Sequence, residues 1–230
     1  SEYDVKDATL LIFEGSSESA AQFKGAYTLN TAPWKNNGQT DNITTTSATI
    51  VKEIATPTSS DHCYALVVLN KNDVFTVNEN KSITMKDATA TFSGTYKQFA
   101  ESLSEEDLTK NGFYMANAPL ASKAGGATDP AGAEINTLAN LDGKIKKTES
   151  EAKSAPAQIY VERGVAKVTM QNDPSTAPNK VDGSTKPDGT SSVGFEITSW
   201  VLDNTNKKTY LVRSTDGFGD WTKLASNSTS

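Results

Sequence analysis

Few side chains in this 230-residue chain can do chemistry, and they are poorly placed for it. Its one histidine, His62, and its one cysteine, Cys63, are adjacent. A thiolate nucleophile needs an imidazole within hydrogen-bond reach. The run from His62 to Leu69 is strand-like, and neighbours on a strand point to opposite faces, which forbids a Cys–His dyad. Cys63 reads as a small buried hydrophobe and His62 as a strand-edge residue. One cysteine makes no internal disulfide. A zinc site would need mostly carboxylates, against the usual Cys/His ligand sets. Gly217-Phe218-Gly219 has no helix after it and is a turn, not a phosphate cradle. Acidic pairs are common among the 28 Asp and Glu, so none marks a glycosidase site. Asp203-Asn204-Thr205-Asn206 lacks the glycine and closing glutamate of an EF-hand and is predicted to be a hairpin turn. The sequence therefore predicts no catalytic residue, no metal, no cofactor and no enzymatic activity. Trp34, Trp200 and Trp221 are the rings able to stack on a sugar. Trp200 falls in a strand-like run and is assigned to the core, which leaves Trp34 and Trp221 as a platform.

The elements that must carry these residues are β-strands. Hydrophobic residues make up 36% of the chain and charged residues 22%, a globular composition. A chain of this length buries roughly 70% of its unfolded surface. The net charge of −6 and scattered Lys and Arg argue against nucleic-acid binding and against a basic membrane-surface helix. No run reaches the ~20 apolar residues of a membrane span. The chain opens on Ser1 rather than Met, which favours a processed form.

Ala8–Phe13 reads as a strand closed by Glu14-Gly15-Ser16-Ser17. Leu10 and Ile12 lie on one face and Leu11 and Phe13 on the other, and both faces are apolar. Cys63–Leu69 behaves the same way. Antiparallel sheets usually keep one face in water, so these strands need cover from a helix, a loop or a partner chain. Ala48–Ile54 and Ala26–Leu29 are further strands, and Trp34–Thr46 is a polar loop. Thr95-Tyr96-Lys97-Gln98 has capping-box spacing and predicts a short helix through Leu103, with a second turn from Ser104. Phe113–Ala116 reads as a strand, Ala121–Gly132 as a loop, and Lys144–Ser154 as a charged, solvated stretch. In Ile159–Met170 the apolar parity changes from Ile159, Val161 and Val165 to Ala166, Val168 and Met170, which predicts a β-bulge at Gly164. Gln171–Ser192 holds Pro174, Pro178 and Pro187 and reads as a linker. Phe195–Leu202 and Lys208–Val212 are predicted to pair as a hairpin. Many short strands with one helical insert predict an all-β sandwich.

The segments Val161-Glu162-Arg163-Gly164-Val165-Ala166-Lys167-Val168 and Trp200-Val201-Leu202-Asp203-Asn204-Thr205-Asn206-Lys207-Lys208-Thr209-Tyr210 resemble the fimbrillins, the subunits of the type V pili of Bacteroidales. Ala8–Phe13, the Val67-Val68-Leu69-Asn70 ending of the second apolar strand, and Phe113-Tyr114-Met115-Ala116-Asn117 stand in the corresponding order. The resemblance implies a transthyretin-like, Greek-key β-sandwich at residues 1–172, a linker at 173–192, and the opening strands of a second, truncated β domain at 193–230. It implies export as a lipoprotein, removal of a first strand by cleavage after an arginine, and growth by donor-strand exchange. The expected product is a fimbria on the outer membrane, with adhesion and virulence as its uses. The partners implied are other subunits in a homopolymer, with host surface proteins or glycans beyond them; a membrane is met only through the precursor's lipid anchor. The upstream strand, its arginine and the rest of the second domain are not in the sequence, as expected of a mature chain or a fragment. The receiving groove is expected between Ala8–Phe13 and Val161–Val168, lined by Leu10, Leu11, Ile12, Phe13, Val161, Val165, Ala166 and Val168. The alternative from another class is a glycan-binding β-sandwich module of a surface protein.

Overall fold

A computed structural model describes residues 4–31, 35–40, 43–58, 61–104, 107–123, 134–168, 199, 201–202 and 206–216, with 35–40 and 43–46 described by backbone alone. The chain order is β1 (Ala8–Gly15), β2 (Gln22–Thr28), β3 (Lys35–Thr40), β4 (Ile43–Ser47), β5 (His62–Leu69), β6 (Phe75–Val77), β7 (Ile83–Met85) and α1 (Tyr96–Ala100). Then come β8 (Leu103–Ser104), β9 (Met115–Asn117), β10 (Leu120–Lys123), β11 (Glu134–Asn136), β12 (Ala139–Asn140), α2 (Glu149–Ser154), β13 (Val161–Arg163) and β14 (Thr209–Tyr210). Among the described residues the fold is all-β and antiparallel, without a barrel. The main sheet runs β13-β9-β5-β1-β2, with β12 also pairing β5, and four two-stranded ribbons accompany it.

The doubly apolar strands dictate this arrangement. β1 is central, hydrogen-bonded to β2 on one side and β5 on the other. Leu11 and Phe13 point with Leu66, Val68, Ala26 and Ala116 into the main core, which also holds Phe75 and Ile83 of the β6–β7 ribbon, Phe99 of α1, Leu138, Leu211 and Val212. Phe13 meets Phe23 and Tyr96 edge-on, both at 5.7 Å between ring centres, the geometry aromatic quadrupoles favour. Burying a side chain of this size contributes about 1.5–3 kcal/mol. The second face also has cover. Ile12, Tyr27, Cys63 and Ala65 are buried with Leu141 beneath Ile54, Ala157 and Ile159. Ala8, Val67 and Leu69 form a smaller cluster with Val5, Leu10, Met115 and Val161. The cover thus comes from the chain's own helix on one face and its own extended segments on the other.

The predicted capping box is present. Thr95 Oγ1 accepts from the Gln98 N–H at 3.2 Å, and Gln98 Oε1 accepts from the Thr95 N–H at 2.8 Å. It starts a helix of five residues, shorter than expected. Strands were also anticipated at β1, β2, β5 and β9, and the structure has them there. Ala48–Ile54 is not a strand; it lies as a strap over the second face. The Ala55 N–H donates to Tyr27 Oη at 2.9 Å and the Thr58 N–H to the buried Glu14 carboxylate at 3.3 Å. Side chains hold the strap, so no ladder is needed. Ribbon β3–β4 occupies much of the expected polar loop, and β10 opens the expected loop after Leu120. The charged stretch contains α2, capped by Thr148 and Glu151 in a second capping box.

The long strand expected over Ile159–Met170 shortens to Val161–Arg163, and no bulge forms at Gly164. Gly164 has no positive φ. It ends the strand, and a Cβ there would lie 3.1 Å from Cδ1 of the buried Tyr114. The expected change of face has no counterpart among the described residues: Ile159 and Val161 face the second layer, Val165 packs against the main core, Ala166 and Val168 are exposed, and Met170 lies outside them. Register shifts lie elsewhere: in β2, where Ile12 faces Gly25 and Phe13 faces Phe23, leaving Lys24 unmatched, and in the β10–β11 and β3–β4 ribbons.

The described residues belong to two compact units. One combines 1–165 with 208–230, and the other is 166–207. This differs from the expected division at 173–192. Thr209 and Tyr210 pair with Ser104 and Leu103 of β8, and Leu211 and Val212 are buried in the main core; the expected pairing partner Phe195–Leu202 lies largely outside the described residues. Phe195–Trp200 apart from Ser199, and with it the assignment of Trp200 to a core, lies outside the described residues, as do Trp34 and Trp221. Of the second unit, Val201 and Leu202 are exposed and not in a strand.

Candidate functional site

β1 and β13 do not wall a groove. β5 and β9 lie between them, both from the same chain. Both edges of β1 are paired along its length, so no neighbouring strand can join it. Of the residues expected to line the groove, Leu11, Ile12 and Phe13 are buried within the fold and Leu10 is half-buried. Val161 and Val165 are half-buried and belong to different clusters. Ala166 and Val168 are exposed and fall in the other unit. The expected grouping therefore fails, because β1 is an interior strand.

What the sheet offers is an edge at β13. At the opposite end, β2 is covered: the Ala26 N–H donates to the Lys81 carbonyl at 2.8 Å and the Phe23 N–H to the Gly94 carbonyl at 3.0 Å. β13 pairs with β9 through Val161↔Asn117, Glu162↔Ala116 and Arg163↔Met115, and among the described residues no strand pairs with its far side. The flanking bonds fix its orientation. The Ala118 N–H donates to the Tyr160 carbonyl at 2.8 Å, and the Gly164 N–H to the Tyr114 carbonyl at 2.9 Å. Antiparallel ladders use alternate residues. Tyr160, Glu162 and Gly164 thus bond inward, and Val161 directs its N–H and C=O outward. Half-buried Ile159, Val161 and Met115 line the second face beside this edge, and Tyr160 is exposed. Arg213 Nε donates to Glu162 at 2.9 Å and the Arg163 guanidinium lies 4.8 Å from the Phe113 ring centre, so charged groups surround the edge.

Two residues that sequence reasoning missed make this edge possible. β5 pairs with β9 only at Val68 and Leu69, and with β12 at Tyr64 and Ala65, so the sheet forks between them. Asn117 fills the fork. Its Oδ1 accepts from the Val67 N–H at 2.8 Å, and its Nδ2 donates to the carbonyls of Ala65 at 3.0 Å and Thr137 at 2.9 Å. Asn70 ends β5 at φ 52° and is fully buried. Its amide donates to the carbonyls of Asp4 and Phe113 and accepts from the Lys6 N–H at 2.7 Å, tying β9 to the approach of β1. The only sequence signal was that each asparagine ends an apolar run.

The chemistry-bearing side chains stay apart. His62 Nδ1 lies 2.5 Å from Asp142 Oδ2 on the surface. Cys63 is buried on the second face, and burial, followed by the Glu14 and Asp142 charges, pushes its thiol up to about 11. A protonated thiol facing away from the imidazole is no nucleophile. Burial raises the pKa of Glu18 above the usual range, against the backbone bonds it accepts from Leu138 at 2.8 Å and Thr137 at 2.9 Å. Its role is to hold the entry to β12. Among the described residues no three His, Cys, Asp or Glu side chains are grouped to hold a metal. A depression of about 400 Å³ beside β6 and β7 has mixed charge, with Lys71 and Lys86 set against Asp73 and Asp87.

Compared with protein-family models, curated proteins and solved structures, the chain matches none.

Proposed function

We propose that this chain is a structural subunit of a bacterial surface fimbria, with no enzymatic role, that captures a strand of a neighbouring subunit along β13. One observation carries the reading. Of the segments that resemble the fimbrillins, the one ending at Asn70, Phe113–Asn117 and Val161–Val168 lie on or contain β5, β9 and β13, successive strands ending at β13, whose far side pairs with no strand among the described residues. An unpaired edge over apolar side chains is a hazard unless a partner fills it, and strand addition is the interaction it fits. The transthyretin-like, Greek-key sandwich, the extracellular location and the homopolymer belong to the same proposal. The receiving position moves from the β1–β13 gap, which β5 and β9 fill, to the outer side of β13.

Val161→Pro tests this reading. It removes the outward N–H while leaving the Tyr160–Ala118 and Gly164–Tyr114 bonds in place, and the ring obstructs an added strand. Val161→Ala controls for the lost side chain, at about 1 kcal/mol of stability. The full-length processed protein carrying Val161→Ala is expected to polymerise and that carrying Val161→Pro to remain monomeric while folded. Equal polymerisation of both refutes the placement at β13. Retention on a glycan array by wild-type protein that does not polymerise would favour a glycan-binding module instead.

A further inference from the structure

We infer that Asn111 is a site of spontaneous deamidation in the folded protein. This inference stands independently of the proposed function. Asn111 and Gly112 form the tip of the turn between Leu108 and Phe113, closed by the Tyr114 N–H donating to the Leu108 carbonyl at 2.8 Å. Asn111 is exposed. Its backbone N–H donates to Asn72 Oδ1 at 2.7 Å, whereas its carboxamide has no hydrogen-bond partner among the described residues. Gly112 sits at φ 96°, where side chains are strained, and it carries no Cβ to hinder attack by its own nitrogen. The one brake is the bond from the Gly112 N–H to the Thr109 carbonyl. At 3.2 Å it is at the long limit for such bonds.

The Gly112 nitrogen loses its proton to solvent base and attacks Asn111 Cγ. The new C–N bond closes a five-membered imide, and Nδ2 leaves as ammonia after taking up a proton. Water then opens the imide at either carbonyl, giving aspartate or isoaspartate. One water is consumed, one ammonia is released, and nothing is oxidised or reduced. The product gains one negative charge.

The structure gives this change a consequence. Isoaspartate inserts an extra carbon into the main chain beside Gly112, and space is lacking there: a Cβ on Gly112 would lie 2.6 Å from Asn70 Nδ2. Asn72 joins the two asparagines, donating to the Asn70 and Gly112 carbonyls at 2.7 Å and 3.3 Å. Displacing this turn loosens the Asn70 clasp on Asp4 and Lys6, ahead of β1.

The test is incubation of the full chain in mildly alkaline buffer, native and in denaturant, followed by peptide mapping for isoaspartate and hydrogen exchange of the aged fraction. Native conversion at Asn111 is expected within about tenfold of the denatured rate, a barrier difference of under about 1.4 kcal/mol. The Lys6 amide is expected to exchange faster in the aged fraction. Asn111→Gln should fold normally and lose the modification at this position. Native conversion slower than that tenfold limit, with ready conversion in denaturant, means that the turn protects Asn111 and overturns the inference. Unchanged exchange at Lys6 in aged protein overturns its structural consequence.

Discussion

Replacing Asn117 with Ala removes the group that lets the sheet fork. Asn117 is 2% exposed and makes three hydrogen bonds to backbone. Its loss strands the Val67 N–H and the Ala65 and Thr137 carbonyls in a buried setting. Each orphaned group costs about 1–3 kcal/mol. Relaxation and entering water recover part of this, so a net loss of about 3–5 kcal/mol is expected, a large share of the ~5–15 kcal/mol that holds a domain folded. Asn117→Asp isolates the donors: it keeps the acceptor for Val67 but sets a charge against two carbonyls, and should be at least as damaging. The assay is urea unfolding followed by far-UV circular dichroism, with hydrogen exchange at Val67 as the local probe. If Asn117→Ala costs less than about 1 kcal/mol, comparable to one ordinary hydrogen bond, or if Val67 stays protected, Asn117 does not stitch the fork.

Gly164→Ala should cost about 1 kcal/mol net in the same assay. The clash with the Tyr114 ring outweighs the ~0.4–1 kcal/mol that Ala gains through the unfolded chain, because the Tyr114 hydroxyl, donating to the Leu211 carbonyl at 2.9 Å, anchors the ring; a stabilised variant would show that the ring yields freely. Cys63 should react with a thiol reagent only at the rate of unfolding. Its thiol stands at about 11 in the fold against an ordinary 9.0, so the unfolded chain loses its proton first. The stability that Cys63 contributes is therefore complete below about pH 9 and falls as the pH rises toward 11; Cys63→Ala should flatten that part of the pH profile.

The local part of the fold was legible. Continuous apolar runs marked β1 and β5, and Thr95 with Gln98 marked the start of α1, because those signals act within a few residues. The same capping logic would have found α2 from Thr148 and Glu151. What failed depended on contacts distant in sequence. Ala48–Ile54 alternates like a strand, but Tyr27 and Glu14 capture the backbone just after it, at Ala55 and Thr58. β14 pairs with β8, far away in the sequence, which no local signal announces. The expected groove rested on treating β1 as an edge, and strand order cannot be read from hydrophobic pattern. Asn117 escaped notice because an asparagine ending a strand looks like a turn residue until the fork it fills is seen.

The central claim is that β13 receives a strand, and the Val161 amide reports on it directly. Its N–H points away from β9, so in the monomer it should exchange with solvent faster than the neighbouring Glu162 amide, which bonds inward. The measurement is hydrogen exchange at Val161 before and after assembly of the full-length processed protein. Strong protection of Val161 on assembly, with Glu162 protected in both states, is the expected result. A Val161 amide that exchanges as fast in the assembled fibre as in the monomer would contradict the account.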